Sequence, residues 1–433
     1  MRHRGGGAAP GRGPIGSLVA LLTAHAISQT GNVVTAFAIP FYVIGIGGSG
    51  MEVGTAAFFA TAPVVLGGML GGVLVDRLGH RRVSILADLL SGVTVLIIPV
   101  LASTVGLPFW ALLLLVFVGG LFDTPGQTAR RVMLPALSAR AGVHLEQSVG
   151  LLDGSERLAR LIGASLAGLL VALCGATPAL FANAAAFAVS GLLTWRCVAP
   201  TPVRPRPQGP DVGASRPGYW AELAEGLGFI KRDRLMRLVV GLVLVTNLFD
   251  AARGSTLMPL YANDRLGGAA ALGLLVAVAA GSALLGNVGF GFVAHRVPRR
   301  VLFAVCFMIA GGPLSGAFAL GAPLPVLLAA SAVSGLASGA LNPILGAVEL
   351  ERVPEAMRGR VLGMINAGAW AGVPFGALLG GWTVDAFGLA AAFGSIAVLY
   401  SAITLSPLLG GSWRLMERTR AAAPGQANAG PAL

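Results

Sequence analysis

Apolar residues in this chain run on for about 20 positions at a time with almost no charge to interrupt them, which is the length an α-helix needs to cross a bilayer. Hydrophobic residues make up 55% of the 433, and charged residues only 11%. A soluble domain carries about 25% charge. Twelve spans of about 20 residues would need about 240 apolar side chains, which is what the composition supplies. A large soluble domain is thereby ruled out, and the chain reads as an all-α membrane protein with twelve transmembrane helices.

The runs fall near 16–46, 53–75, 83–103, 107–129, 148–174 and 177–196, and again near 237–262, 270–294, 301–320, 323–348, 361–384 and 388–410. This divides the chain into an N-terminal tail (1–15), a six-helix half (16–196), a linker (197–236), a second six-helix half (237–410) and a C-terminal tail (411–433). The first run is longer than a secretory signal and lacks a small-residue cleavage site after it, so it reads as an uncleaved span. Within the linker, residues 201–217 are rich in Pro, Arg and Gly and too polar for lipid. Residues 219–237 alternate apolar and charged positions at helical spacing, which predicts an amphipathic helix lying on the membrane surface.

The formal charge of +12 invites a nucleic-acid reading, but its distribution argues otherwise. With a cytoplasmic N-terminus, 26 of the 30 Lys and Arg residues fall in segments on the inner side. Such a bias sets membrane orientation, puts both termini in the cytoplasm and accounts for the charge without nucleic acid. Other classes drop out as well. The one lysine, Lys231, follows Phe229 and Ile230, so no Gly-Lys-Ser/Thr phosphate loop can exist and the chain cannot drive transport with ATP by itself. Cys174, Cys197 and Cys306 are far apart, and none of the five histidines begins an HExxH cluster. No metal site, no cofactor and no enzymatic chemistry is expected.

The halves repeat. Pro40, Tyr42, Gly48, Gly54, Gly67, Gly72, Arg77 and Arg81 recur 219 residues later as Pro259, Tyr261, Gly267, Gly273, Gly286, Gly291, Arg296 and Arg300. Parallel repeats about an axis along the membrane normal are a known transporter plan, with the substrate site between the halves near the midplane.

Here the residues reach a family. The stretch Gly72–Arg82, GVLVDRLGHRR, closely resembles the loop between the second and third spans of the major facilitator superfamily, with His80 where a basic residue is usual. A degenerate copy stands at Gly291, Arg296, Arg299 and Arg300. The resemblance implies the two-half, pseudo-symmetric twelve-helix fold of that superfamily. It also implies a gating role for Gly72, Asp76, Arg77, Gly79 and Arg81, with the aspartate engaging the eleventh span in the outward-open state. Plain topological anchoring is the competing reading of the arginines. Pro125, Ala129 and Pro135 resemble the fourth and fifth spans of the efflux branch that contains macrolide and siderophore exporters. The antiporter motif of the fifth span is only partly matched, by Gly163 and Gly168 with Ala164 in place of its proline. A better copy stands in the eleventh span at Pro374, Gly376, Gly380 and Gly381.

Polar residues inside spans carry the remaining signal, because a charge at the bilayer centre costs at least about 2.5 to 3.5 kcal/mol and must face protein or water. His25, Gln29 and Asn32 share one face of the first span, and Asn247, Asp250 and Arg253 one face of the seventh. The family likeness puts these spans beside the central cavity, where the two faces would confront each other. Asp250 is the first candidate for proton coupling, or else a static partner of Arg253. Asp123 is the next, with Arg130 or Arg131 as the expected counter-charge. Asn342 of the tenth span joins the cavity candidates. Asp153, Glu156, Arg157 and Arg160 can pair along the fifth span, but an interhelical charge network on the inner side is the role expected of them. His25, which could titrate near neutral pH, is expected to pack near the inner mouth, and Asp88 has no nameable partner. Phe37, Phe41, Phe122, Phe249 and Trp370 could form an adaptable pocket or face lipid. Pro40, Pro259, Pro313, Pro343 and Pro374 are candidate kinks.

Together these features read as a monomeric secondary transporter in the cell inner membrane that expels lipophilic or amphipathic organic compounds, drugs or natural products, against protons by rocker-switch alternating access. Uptake of a small metabolite, or a transporter-like sensor, are the alternatives. Its partners would be the small organic substrate, protons and the lipid bilayer.

Overall fold

The structure, a computed structural model, describes residues 14–199, 219–293 and 297–417. Residues 1–13, 200–218, 294–296 and 418–433 lie outside this range, among them the Pro- and Arg-rich part of the linker, His295 and Arg296. Among the described residues every regular element is helical. The first half comprises α1 (Pro14–Gly45), α2 (Gly50–Leu78), α3 (His80–Thr104), α4 (Phe109–Ala141), α5 (Leu145–Cys174) and α6 (Ala176–Cys197). After α7 (Tyr219–Arg232), the second half follows as α8 (Arg234–Ala251), α9 (Met258–Arg265), α10 (Ala269–Val293), α11 (Arg299–Ala319), α12 (Leu324–Arg352), α13 (Arg358–Ala371) and α14 (Val373–Thr404). A four-residue turn, α15 (Ser406–Leu409), ends it.

Eleven helical stretches are long and apolar enough to cross a membrane, and the last runs 50 residues from Arg360 to Leu409. At 1.5 Å per residue that is about 75 Å, against about 30 Å of hydrocarbon, so it must make two passes. The break is at Gly388, whose φ of 79° and ψ of 168° leave the helix. A side chain there would be strained, so glycine marks the turn. Several helices also run past their predicted ends: α4 reaches Ala141 where 129 was expected, and α12 reaches Arg352 where 348 was expected. Helix hydrogen bonding does not stop at the bilayer edge, so hydropathy locates the apolar part and not the whole helix. The amphipathic segment is shorter than predicted. It ends at Arg232, and Asp233 instead caps α8, accepting from the backbone N–H groups of Leu235 and Met236, both at 2.9 Å.

The seventh span is not one regular helix. Between α8 and α9, Ala252–Leu257 form a π-helical segment, the kind of local widening that recurs at functional sites. Pro259 follows it in the first turn of α9. Pro374 likewise opens α14 just after Gly372, whereas α1, α11 and α12 continue through Pro40, Pro313 and Pro343.

The ends of the bundle can be told apart by contacts. Ser17 at the start of α1 donates to the carbonyl of Cys197 at the end of α6, at 3.0 Å. Arg352 at the end of α12 holds Asp233 at the start of α8, at 2.9 Å. The described ends of the chain, before Ser17 and after Leu415, therefore lie at one end of the bundle. At the other, the halves meet along two seams, α2 against α14 and α5 against α10. The seams use repeat-related glycines: a Cβ on Gly273 would sit 2.7 Å from the carbonyl oxygen of Ala164.

Arg81 and Arg300 are repeat-related and do the same work. Arg81 donates to the carbonyls of Trp195, in the last turn of α6, and of Val198 just past it, the latter at 2.8 Å. Arg300 donates to the carbonyl of Leu408 at 2.6 Å, in the short α15 that ends the last span. A guanidinium on orphan carbonyls at the negative end of a helix is favourable on both counts. Each arginine thus ties the third helix of its half to the sixth.

Candidate functional site

The predicted polar residues gather in two cavities, one in each half. The first encloses about 280 Å³ and is walled mostly by apolar side chains of α1, α2, α3, α4 and α6. Its polar lining includes Gln29, Asn32, Thr35, Thr61, Asp123, Gln127 and Asn183, and Ser255 reaches it from the π-helical segment of the other half. The second encloses about 330 Å³, and its polar lining is Asn247, Asp250, Arg253, Asn342, Tyr400 and, on α12, Ser331, Ser334 and Ser338. His25 lines neither.

Asp123 is buried on α4 and is held by amides. One carboxylate oxygen accepts from the side chain of Gln127 one turn on, at 2.6 Å, and from Asn32 of α1, at 2.8 Å. Asn32 also donates to Gln29 at 3.1 Å. This corrects the expected pairing with Arg130 or Arg131. Arg130 turns away to α3, where its guanidinium pairs with Asp88 and donates to Ser84, while Ser190 of α6 bridges the pair and the carbonyl of Ala24. Arg130 is fully buried and Asp88 is 1% exposed. Asp88 thereby acquires the partner that sequence could not name, and the cluster binds α1, α3, α4 and α6 together.

Glu156 pairs across helices, as the charge-network reading expects, with His25 Nε2 at 3.0 Å and Arg131 at 2.5 Å. His25 is fully buried, so it packs inside the half and also serves as an interhelical partner. Its Nδ1, like Ser28 Oγ and one nitrogen of Arg130, has no hydrogen-bond partner among the described residues.

In the second cavity the carboxylate has a cation. Asp250 accepts from Arg253 at 2.6 Å and from the Tyr400 hydroxyl at 3.4 Å. Arg253 also donates to the carbonyl of Gly311 on α11, at 3.2 Å. Asn247 donates to the carbonyl of Ala369 on α13, at 2.8 Å. The confrontation of Asn32 with Asn247 is not met, because each spends its amide on a neighbour in its own half and lines a different cavity.

Of the gating residues, Gly72, Asp76 and Arg77 stand on the last turns of α2, whose side chains lie outside the described residues. Gly79 takes a φ of 85° between α2 and α3, a turn that needs glycine. The proposed aromatics are not the cavity walls: Phe187 and Phe307 line them instead. Trp370 is half exposed on the outer surface, and Phe249 packs on Tyr400. Gln127, Asn183 and Tyr400 were missed. Each left a trace, Gln127 as the i+4 neighbour of Asp123, the other two as lone polar groups in apolar helices.

Comparison with known proteins fits this architecture. The sequence matches the family model described as Major Facilitator Superfamily over residues 21–312 and 255–432. It is 31% identical over 382 residues to the multidrug efflux pump Tap of Mycolicibacterium fortuitum, covering 87% of this chain and 91% of that protein. It is 28% identical over 348 residues to the enterobactin exporter EntS of Escherichia coli, covering 79% and 80% of the two chains. Among solved structures, the nucleoside transporter NupG aligns with a TM-score of 0.73 at 13% identity over 90% of this chain and 98% of that one. At that identity the likeness speaks for fold alone.

Proposed function

The chain belongs to the Major Facilitator Superfamily, and from that premise we propose that it is a secondary active exporter of lipophilic or amphipathic organic compounds, drugs or natural products. The supporting relatives are efflux proteins, and the resemblance to Tap runs nearly end to end. The observation that carries the reading is the make-up of the cavities: walls chiefly of apolar side chains around a single carboxylate in each half, Asp123 in one and Asp250 in the other. Apolar walls with a few placed polar groups suit bulky organic molecules of mixed shape.

Export runs against proton entry in this proposal. Protonating Asp250 would break its bond to Arg253, and Arg253 is also bonded to α11. One proton would thus free the Arg253 guanidinium, which also reaches the ninth span, to change partners, the kind of differential contact that a two-state transporter requires. Asp123 is the second candidate, because its amide partners can serve either protonation state. The halves rock about their seams, the termini face the cytoplasm of the cell inner membrane, and the monomer is the working unit.

The test uses proteoliposomes holding the purified protein and an internal pH dye, with amphipathic drugs added under an imposed proton gradient. Drug-dependent proton flux that disappears in Asp250→Asn establishes antiport through the seventh span. Flux that survives there and disappears in Asp123→Asn moves coupling to α4. No flux with any compound of a broad panel overturns drug antiport.

A further inference from the structure

At the end of the bundle away from the termini, one side chain reaches from half to half. Asp385 stands on α14, three residues before the Gly388 break. One of its carboxylate oxygens accepts the backbone N–H of Gly50 and the other that of Met51, both at 2.8 Å. These are the first two N–H groups of α2, donors that a helix cannot satisfy internally, at the positive end of its dipole. An acid of the second half therefore caps a helix of the first.

The cap is not needed to keep α2 helical. Ser49 and Glu52 already form a reciprocal box: the N–H of Glu52 donates to Ser49 Oγ at 3.2 Å, and the N–H of Ser49 to Glu52 Oε2 at 2.8 Å. What Asp385 adds is the connection between halves. Beneath it the backbones touch. A Cβ on Gly54 would lie 2.5 Å from the carbonyl oxygen of Ala377, and one on Gly381 would lie 2.5 Å from that of Gly50. A seam this close is either made or parted. Asp385 is also exposed to solvent, so water can replace the two N–H groups when the seam parts, and the cap can break and re-form in each cycle.

We propose that Asp385 is the latch of this far end, a positioning residue whose hold on Gly50 and Met51 sets the fraction of time that the far mouth stays shut. The step rests on the exporter reading for what leaves by that mouth, but the closure itself does not depend on it.

The experiment measures access without cargo. In a variant lacking the three cysteines, Ser255→Cys places a thiol in the first cavity, and a membrane-impermeant maleimide is applied from the far side. Asp385→Asn keeps the shape but gives up the charge and one acceptor, and labelling should rise about five-fold, the population equivalent of losing a helix cap. Asp385→Lys, which sets a cation against the helix dipole, should raise it further, and Asp385→Glu should stay near the parent. Ser49→Ala, which weakens only the helix's own box, should stay within about two-fold. Equal labelling of the Asn variant and the parent overturns the latch, as does an equal rise in Ser49→Ala. Should the Lys variant fail to insert, the isosteric Asn variant decides alone. If labelling follows this order while no compound moves protons, the latch stands and the exporter reading is what fails.

Discussion

In the N-terminal half, Arg130 and Asp88 are sealed among four helices at 0% and 1% exposure, whereas in the C-terminal half the side chains of Arg253 and Asp250 are 12% and 39% exposed beside a cavity. Each pair has two hydroxyls beside it, Ser84 of α3 and Ser190 of α6 in the first, Tyr400 of α14 and Ser315 of α11 in the second, so exposure to the cavity is what separates them. A sealed ion pair cannot change its protonation without leaving a buried charge alone, so it holds helices in place. A pair that borders a cavity can exchange a proton with whatever fills that cavity. Under the proposed mechanism the contrast separates a scaffold from a working part within two halves of one plan. In the first half the candidate working carboxylate is Asp123, which stands clear of the ion pair and is held by amides.

The largest expected effect tests the scaffold. Arg130→Met should strand Asp88 and cost about 3 to 5 kcal/mol, seen as a collapse of the melting temperature in detergent. Arg130→Met together with Asp88→Leu should recover most of that loss, since an apolar replacement of a whole buried pair is often neutral. A double variant as unstable as the single one would break the contrast.

The working carboxylates come next. Asp250→Asn should lower drug-dependent proton flux at least ten-fold, a barrier change of about 1.4 kcal/mol, while shifting the melting temperature far less than Arg130→Met. Asp123→Asn, measured beside it, sharpens the comparison. Comparable losses in both variants would mean that each half carries a proton site.

A smaller effect concerns the terminal end, where the second half keeps a charge tie that water reaches. Burial alone would raise the carboxyl of Asp233, but the N–H of Met236, the guanidinium of Arg352 and the N–H of Leu235 outweigh it and hold the group below its ordinary value. A lowered native value means stability that is present at neutral pH and fades as pH falls through the carboxylate range. Asp233→Asn should therefore cost about 1 kcal/mol at pH 7, and its melting temperature should converge on that of the parent as the buffer is taken from pH 6 toward pH 3.5. A gap that stays constant over that range would remove the charge from the account.

The last comparison probes the seams, with a control expected to show no loss at all. Gly316→Ala, where an added Cβ meets nothing within 4 Å, should be neutral or slightly stabilising. Gly273→Ala, against the carbonyl of Ala164, should cost about 1 to 3 kcal/mol as an overpacked contact. Equal melting temperatures for the two would show that the α5 and α10 seam is looser than its geometry.

Much of the candidate site was legible early. Gln29, Asn32 and Asp123 do share one cavity, and Asn247, Asp250, Arg253 and Asn342 the other. Helical spacing finds such faces because positions three, four and seven apart lie on one side of a helix. Spacing also misled. Asp123 and Arg130 are seven apart on α4, yet a helix face about 10 Å long lets one turn to α1 and the other to α3.

The sequence by itself determined that this chain spans a membrane, roughly where each span lies, and that its halves are repeats, because burial in hydrocarbon requires long apolar runs whatever their neighbours are. The 219-residue offset also marked the glycines of the seams and the arginines at helix ends. Only the tertiary structure decided which polar group meets which. Asp88 with Arg130, His25 with Glu156 and Asp385 with the first turn of α2 join residues 42, 131 and 335 positions apart. A side chain's partner depends on which helices become neighbours and how each is turned about its axis, and a periodicity internal to one helix carries neither.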